Sequence, residues 1–336
     1  MPIKLYKKIQ QWIDTWKLKV NYQKTEVVSF HGQLLPPTMN TIPIRISQSS
    51  TVLGVKIDQN LTFNDQYAIS MRTIEQRLNM LKPYIYGGLS CETARKILTH
   101  AILPKALYAA ALWDTASRVS ITQCITFILG AHFNPPGEAL HKIINIPPIT
   151  LLYSKERLSI MRGLAKYGYT NIISSTHKST ISKNFLSDLK KVVDRRTQVN
   201  DIQPEDLSKR IVDKAIQSHW TKRWKTQVQQ GICPYGLLSQ LPTTHLVDYP
   251  VPLELDRKSL GPLCDLLTGH SRLQLFQYRI QQSYTPTCAC LQDDETPEHY
   301  LHHCADYAFI RETTNPTLDQ WKNIIHYNML TRRLSF

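Results

Sequence analysis

Residues 51–85 read TVLGVKIDQNLTFNDQYAISMRTIEQRLNMLKPYI, and a change of period inside them decides the fold. Up to Asp58 the apolar positions alternate. Leu53, Val55 and Ile57 fall on one side of an extended chain. From Asn64 onward Ile69, Ile74, Leu78 and Leu81 keep one face of a helix instead. Gly54, inside the extended part, predicts a bulge or a close backbone approach. The short strand signal is therefore a small feature at the start of a helical chain.

Working upstream, IPIRISQ (42–48) alternates Ile44 and Ile46 with polar neighbours and reads as the other arm of a hairpin with TVLGVKID. TEVVSFHG (25–32) is a further strand candidate, followed by a loop holding Pro36 and Pro37. Residues 3–17 read as a helix through Ile3, Ile9, Trp12, Ile13 and Trp16. Working downstream, Gly87-Gly88 ends the first long helix. Ser90 caps the next, CETARKILTHAIL, with Glu92 facing the positive end of its dipole. Pro104 is expected to separate that helix from KALYAAALWDTA.

The chain to about residue 284 keeps this helical character. PEDLSKRIVDKAIQSHWTKRWKTQVQQG (204–231) places Leu207, Ile211, Ala215, Trp220, Trp224 and Val228 on one stripe, with Gly231 as C-cap. CPYGLLSQLPTTHLVDYPVPLE (233–254) is a Pro-rich loop or linker. The fold class is mostly α, with a small N-terminal α+β remnant.

The totals set further bounds. The 336 residues, 42% hydrophobic, can bury a core. Forty Lys and Arg against 26 Asp and Glu, and a pI near 9.4, favour a polyanionic partner such as RNA or DNA. Four of the seven cysteines (Cys91, Cys124, Cys233, Cys264) are scattered, so the set is not a disulfide framework. No apolar run reaches membrane-spanning length, and MPIKLYKKIQQWIDTWKLKV lacks the apolar block of a signal peptide. A nuclear or cytoplasmic location is expected, with no membrane partner.

The other three cysteines cluster in CACLQDDETPEHYLHHC (288–304). The spacing Cys288-x-Cys290-x8-His299-x4-Cys304 offers four soft or borderline ligands, which is what tetrahedral Zn²⁺ requires. His302 is an alternative to His299. A short polar segment needs such a staple to hold its shape. Residues 281–304 contain no Lys or Arg and four acids, Asp293, Asp294, Glu295 and Glu298. The module is expected to be a structural brace rather than a phosphate clamp.

Phosphate contacts are expected elsewhere. Residues 178–225 carry twelve Lys and Arg against six acids, densest at Lys190, Lys191, Arg195, Arg196, Lys209, Arg210, Lys222, Arg223 and Lys225. Trp220 and Trp224 are interleaved with them but share the apolar stripe, which favours a core role. Enzymatic signatures are missing. No Gly precedes a Lys, so there is no P-loop, and neither G-x-S-x-G nor H-E-x-x-H occurs. The sole Asp-Asp pair, Asp293-Asp294, falls between the zinc-ligand candidates rather than on a strand platform suited to two-metal chemistry.

In linear order, these pieces resemble the C-terminal part of a reverse transcriptase from a non-LTR (LINE-type, insect Jockey-like) retrotransposon. WKLKVNYQKTEVVSF resembles the segment after the catalytic aspartates of that family. The resemblance makes Lys24 a lysine associated with the incoming nucleotide or the pyrophosphate leaving group. STVLGVKIDQNLTF resembles the primer-grip hairpin, which gives Leu53, Gly54 and Val55 a primer-grip-like role; Val52 stands where the family usually has an aromatic residue. ARKILTHAILPKALYAAALW, with Tyr108 and Trp113, resembles the thumb. LCDLLTGHSRLQLFQYRI and the Cys-Cys-His-Cys segment resemble the family's C-terminal region and zinc knuckle.

The resemblance implies four parts: 1–60 as the trailing edge of a palm, 61–118 as thumb-like helices, 119–284 as a helical connector, and 285–336 as knuckle and tail. It implies structural Zn²⁺ in the knuckle. Mg²⁺ would be expected only for the palm carboxylates, which lie upstream of the matched segment. The chain alone is thus expected to be an inactive, truncated RNA-directed DNA polymerase that retains RNA or DNA binding, partnered by the missing polymerase and endonuclease portion. The alternative is a non-enzymatic nucleic-acid-binding or scaffold protein derived from a mobile element.

Overall fold

The computed structural model describes residues 2–30, 45–113, 120–166, 208–233, 236–240 and 253–309. Helix α1 (Pro2–Thr15) leads into three-residue β1 (Glu26–Val28). Strand β2 (Arg45–Ser47) pairs with β1 in parallel, with Val27 opposite Ile46. The hairpin is formed instead by β3 (Ser49–Val52) and β4 (Val55–Asp58), which pair antiparallel from Ser49–Asp58 to Val52–Val55. The expected first arm, IPIRISQ, was therefore misplaced, and the hairpin is shorter and later. Leu53 and Gly54 form its two-residue turn, with φ of 49° and 82°. Two successive positive φ values match the right-handed twist of a hairpin. Gly54 thus marks the turn rather than a bulge within a strand. Its positive φ, not close packing, is what favours glycine there, since a Cβ would meet the Tyr108 ring at an ordinary contact distance of 3.6 Å.

Helix α2 (Asn64–Tyr86) buries Ile74, Leu78, Leu81 and Ile85. Ile69, expected on that face, is exposed, and Gln66 and Ser70 are buried in its place. The reason is the hairpin. Gln66 Oε1 accepts the Lys56 backbone N–H at 2.9 Å, so the first turns of α2 face a strand edge rather than an apolar core. Helix α3 (Cys91–Ile97) starts as expected, with Ser90 Oγ accepting from Thr93 N. Pro104 does not break it. A π-turn over Leu98–Ile102 carries the chain directly into α4 (Leu103–Ala106), with Pro104 in its first turn. The wider turn accommodates a residue that lacks an N–H.

Helices α5 (Thr122–Leu129), α6 (Gly137–Ile144) and α7 (Ile149–Lys166) follow. Helix α8 (Lys209–Gln229), capped by Ser208 Oγ, packs along α7 with Lys155 bonded to Asp213 at 2.7 Å. Its buried stripe is Val212, Ile216, Trp220 and Trp224. Trp220 and Trp224 lie on the stripe as expected, but its first turns bury Val212 and Ile216 rather than Ile211 and Ala215, and Leu207 lies outside the described residues. Gln230 holds the C-cap and Gly231 follows it at φ 82°. Short α9 (Leu237–Gln240), α10 (Arg257–Thr268) and α11 (Gln274–Arg279) complete the helices.

One apolar cluster runs from Ile74 to Leu301 and includes Trp113, Ile125, Leu140, Leu260 and Tyr300. It is continuous across residues 118 and 284. The described protein is mostly α with two small two-stranded sheets near its start. No described helix is long and apolar enough to cross a membrane.

Candidate metal centre and basic face

The segment from Pro286 to Cys304 folds back on itself through backbone bonds. Cys288 N–H donates to Asp293 O at 2.9 Å, and Glu295 N–H to Pro286 O at 2.9 Å. Thr287 bridges Asp294. Thr296 Oγ1 accepts from His299 N at 2.9 Å and starts a π-turn over His299–His303. That turn returns Cys304 beside Cys288, with Cys304 N–H bonded to His299 O at 2.7 Å. The loop and the turn therefore each supply two side chains.

The ligand atoms of Cys288, Cys290, His299 and Cys304 lie within 4.8 Å of one another. The two sulfurs of Cys288 and Cys304 are 3.6 Å apart, and Cys290 Sγ is 3.2 Å from His299 Nε2. Two sulfurs bound at about 2.3 Å to a tetrahedral ion would be roughly 3.8 Å apart, so the spacing fits Zn²⁺. His302 lies outside this group. Cys288, His299 and Cys304 are buried, and Cys290 is partly exposed. Burial pushes the Cys288 thiol up, while a backbone N–H of Gln292 holds Cys290 down. Glu295 ties the group to the helices, because its Oε2 accepts Gln274 N–H at 2.7 Å at the start of α11. Asp293 Oδ1 accepts the Asp294 N–H at 2.7 Å, so this pair shapes the loop.

The basic residues divide. Lys190, Lys191, Arg195 and Arg196 lie outside the described residues. Lys209, Arg210, Lys222 and Lys225 are exposed on α8. Arg223 is half-buried and bonded to Glu138 of α6. Trp220 and Trp224 are fully buried, and Lys142 sits 4.1 Å over the Trp220 ring. Neither tryptophan can stack on a base. Sequence reasoning missed Lys142 and Glu138 because nothing local links α6 to α8.

Lys24 is exposed in the turn between α1 and β1, where its N–H bonds Asn21. The hairpin turn projects, with Leu53 86% exposed and Val55 buried beneath it. Tyr108 Oη donates to Leu53 O at 3.0 Å, and Trp113 Nε1 donates to Tyr108 O at 3.3 Å. The two aromatics of the Tyr-x4-Trp pattern therefore act as a unit, with buried Trp113 anchoring the segment that holds the hairpin tip.

No protein-family model matches the chain, and no solved structure matches it. Among curated proteins it is similar to the "Probable RNA-directed DNA polymerase from transposon BS" of Drosophila melanogaster. The two are 26% identical over 151 residues, which is 40% of this chain and 16% of the relative. This similarity supports an origin related to transposon reverse transcriptases, and the Cys3His group within metal-binding distance is compatible with it.

Proposed function

We propose that this chain is the thumb and C-terminal region of a reverse-transcriptase-related protein of transposon origin, which grips nucleic acid without itself carrying the polymerase chemistry. The similarity to a transposon RNA-directed DNA polymerase carries this reading. In it, residues 1–60 are the trailing edge of a palm, 61–118 a thumb, 119–284 a connector, and 285–336 a knuckle and tail. Leu53, Gly54 and Val55 form a primer-grip-like tip, and Lys24 lies near the nucleotide path. Cys288, Cys290, His299 and Cys304 hold a structural Zn²⁺. Zn²⁺ bound there would supply the tie between loop and turn that the polar sequence lacks.

Phosphate contact comes from the exposed cations of α8, Lys209, Arg210, Lys222 and Lys225, with Arg223 orienting the helix through Glu138. The acidic knuckle braces the chain elsewhere, through Glu295 at the start of α11. Two-metal synthesis requires carboxylates fixed on a rigid platform. Asp293 and Asp294, the sole Asp-Asp pair in the 336 residues, lie in the knuckle loop.

The test is a pair of assays on the purified chain. Primer extension on an RNA template should be absent with either Mg²⁺ or Mn²⁺, and measurable extension would overturn the reading. RNA affinity should fall with salt, with a log–log slope of roughly −3 if four phosphates are neutralised. A salt-independent affinity would remove the electrostatic grip.

A further inference from the structure

A seam between two segments far apart in sequence carries aromatic rings and cations that the basic helix does not explain. Residues 127–133 run beside α10, and their contacts advance in step. Arg257 Nε donates to Phe127 O at 2.8 Å. Gly261 lies against Gly130, where a Cβ would meet the Gly130 carbonyl oxygen at 2.5 Å. His132 then donates its backbone N–H to Asp265 Oδ1 at 2.9 Å, and its ring Nδ1 lies 2.8 Å from Oδ2. From Arg257 to Asp265 the helix rises about 12 Å.

Each end of the seam holds a cluster of rings. At the first, the Arg257 guanidinium lies 4.9 Å from the Phe127 centroid and 5.5 Å from Tyr86, and Lys82 Nζ is 5.5 Å from Phe127. At the second, Phe133 and Phe276 meet edge to face at 5.6 Å, with His270 at 4.9 Å from Phe276. These rings are not a closed core. Tyr86 is 61% exposed and Phe133 37%. Phe133 sits at φ 55°, a conformation that bulky residues rarely adopt, yet its ring faces partly outward. Asp265, the acid inside the seam, is buried and engaged by His132. Arg257 stays beside the exposed Tyr86 ring, and Lys82 lies next to it over the partly buried Phe127.

We propose that this seam is a stacking track for a single strand of nucleic acid, with bases lying on Tyr86 and Phe133 and phosphates beside Lys82 and Arg257. Aromatic faces interleaved with cations match the chemistry of an unpaired strand, which presents both naked bases and phosphates. A duplex hides its base faces and gains nothing from the rings. The proposal rests on the nucleic-acid-binding reading above, but its residues are separate from the α8 cations.

Binding of fluorescent 12-mers of oligo(U) and oligo(dT), and of a 12-base-pair duplex, to the full chain tests both. Tyr86→Ala and Phe133→Ala should each weaken single-strand binding about fivefold to a hundredfold, leaving duplex affinity and the salt slope unchanged. Tyr86→Phe and Phe133→Tyr should restore it. Replacing Lys209, Lys222 and Lys225 with Gln should instead reduce the salt slope for both forms. The track is overturned if the alanine variants bind single strands like the wild type, or if single-strand and duplex affinities fall together. Wild-type protein that binds none of the probes removes the nucleic-acid reading itself; wild-type binding with unaffected variants removes only the track.

Discussion

The helical body and the Cys–His segment are built on different principles, although they adjoin. In the body, Trp113, Ile125, Leu140 and Leu260 are buried in a cluster assembled from α2 through α10. Many weak apolar contacts share the stabilisation, so the body tolerates polar detail at its rim. In residues 285–304 apolar content is low, and shape depends on a handful of backbone bonds and four convergent ligand atoms. Tyr300 and Leu301 join it to the body's cluster. The Cys–His segment should therefore fail as a unit when a single ligand is removed, and the body should fail by degrees.

Metal removal should separate them most sharply. Structural Zn²⁺ sites in small peptides contribute on the order of 10 kcal/mol. Chelation, or Cys304→Ser, should therefore abolish bound zinc and open residues 285–304 to protease, while the far-ultraviolet helix signal largely persists. Protein purified without zinc and showing full protection there would end the contrast. In the body, Trp113→Ala should cost about 3–5 kcal/mol, seen as a lower Tm with zinc content unchanged. It should also loosen the hairpin tip, because Trp113 Nε1 holds the Tyr108 carbonyl and Tyr108 holds Leu53. A hairpin equally protected in both proteins would break that chain of contacts.

The smallest expected effect concerns a polar residue inside the body. Burial lowers Lys142 to about 8, opposed by Glu138. An unfolded lysine titrates at about 10.4. Between these values the unfolded chain holds the proton and the folded chain does not, so wild-type stability rises as pH climbs from about 8 toward ~10.4. Lys142→Met lacks this dependence. It should exceed the wild type in Tm at pH 7 by a few degrees at most, and the gap should narrow by pH 10. A gap independent of pH would mean that the Lys142–Trp220 contact, not desolvation, decides the cost.

Much of this was legible in the chain itself. Ser90 announces a helix start by its hydroxyl and the helical pattern after it, and the structure uses it as the cap. The spacing of Cys288, Cys290, His299 and Cys304 is local enough for a loop and one turn to bring them together. Trp220 and Trp224, four residues apart, had to share a face. Other features were not legible, because their causes lie elsewhere in the sequence. The hairpin register, the burial of Gln66 and the exposure of Ile69 depend on the hairpin and α2 meeting, and the passage through Pro104 on how α3 and α4 pack.

Period, composition and short spacing act within a few residues, so the helical class, the positive charge and the convergence of four ligands follow from local sequence. Tertiary structure alone decided which α8 positions are buried, that Arg223 bonds Glu138, and that Phe133 comes beside Phe276. Those outcomes depend on contacts such as Lys155–Asp213, Glu138–Arg223 and Phe133–Phe276, whose halves lie far apart in the chain, and no local pattern encodes such a contact.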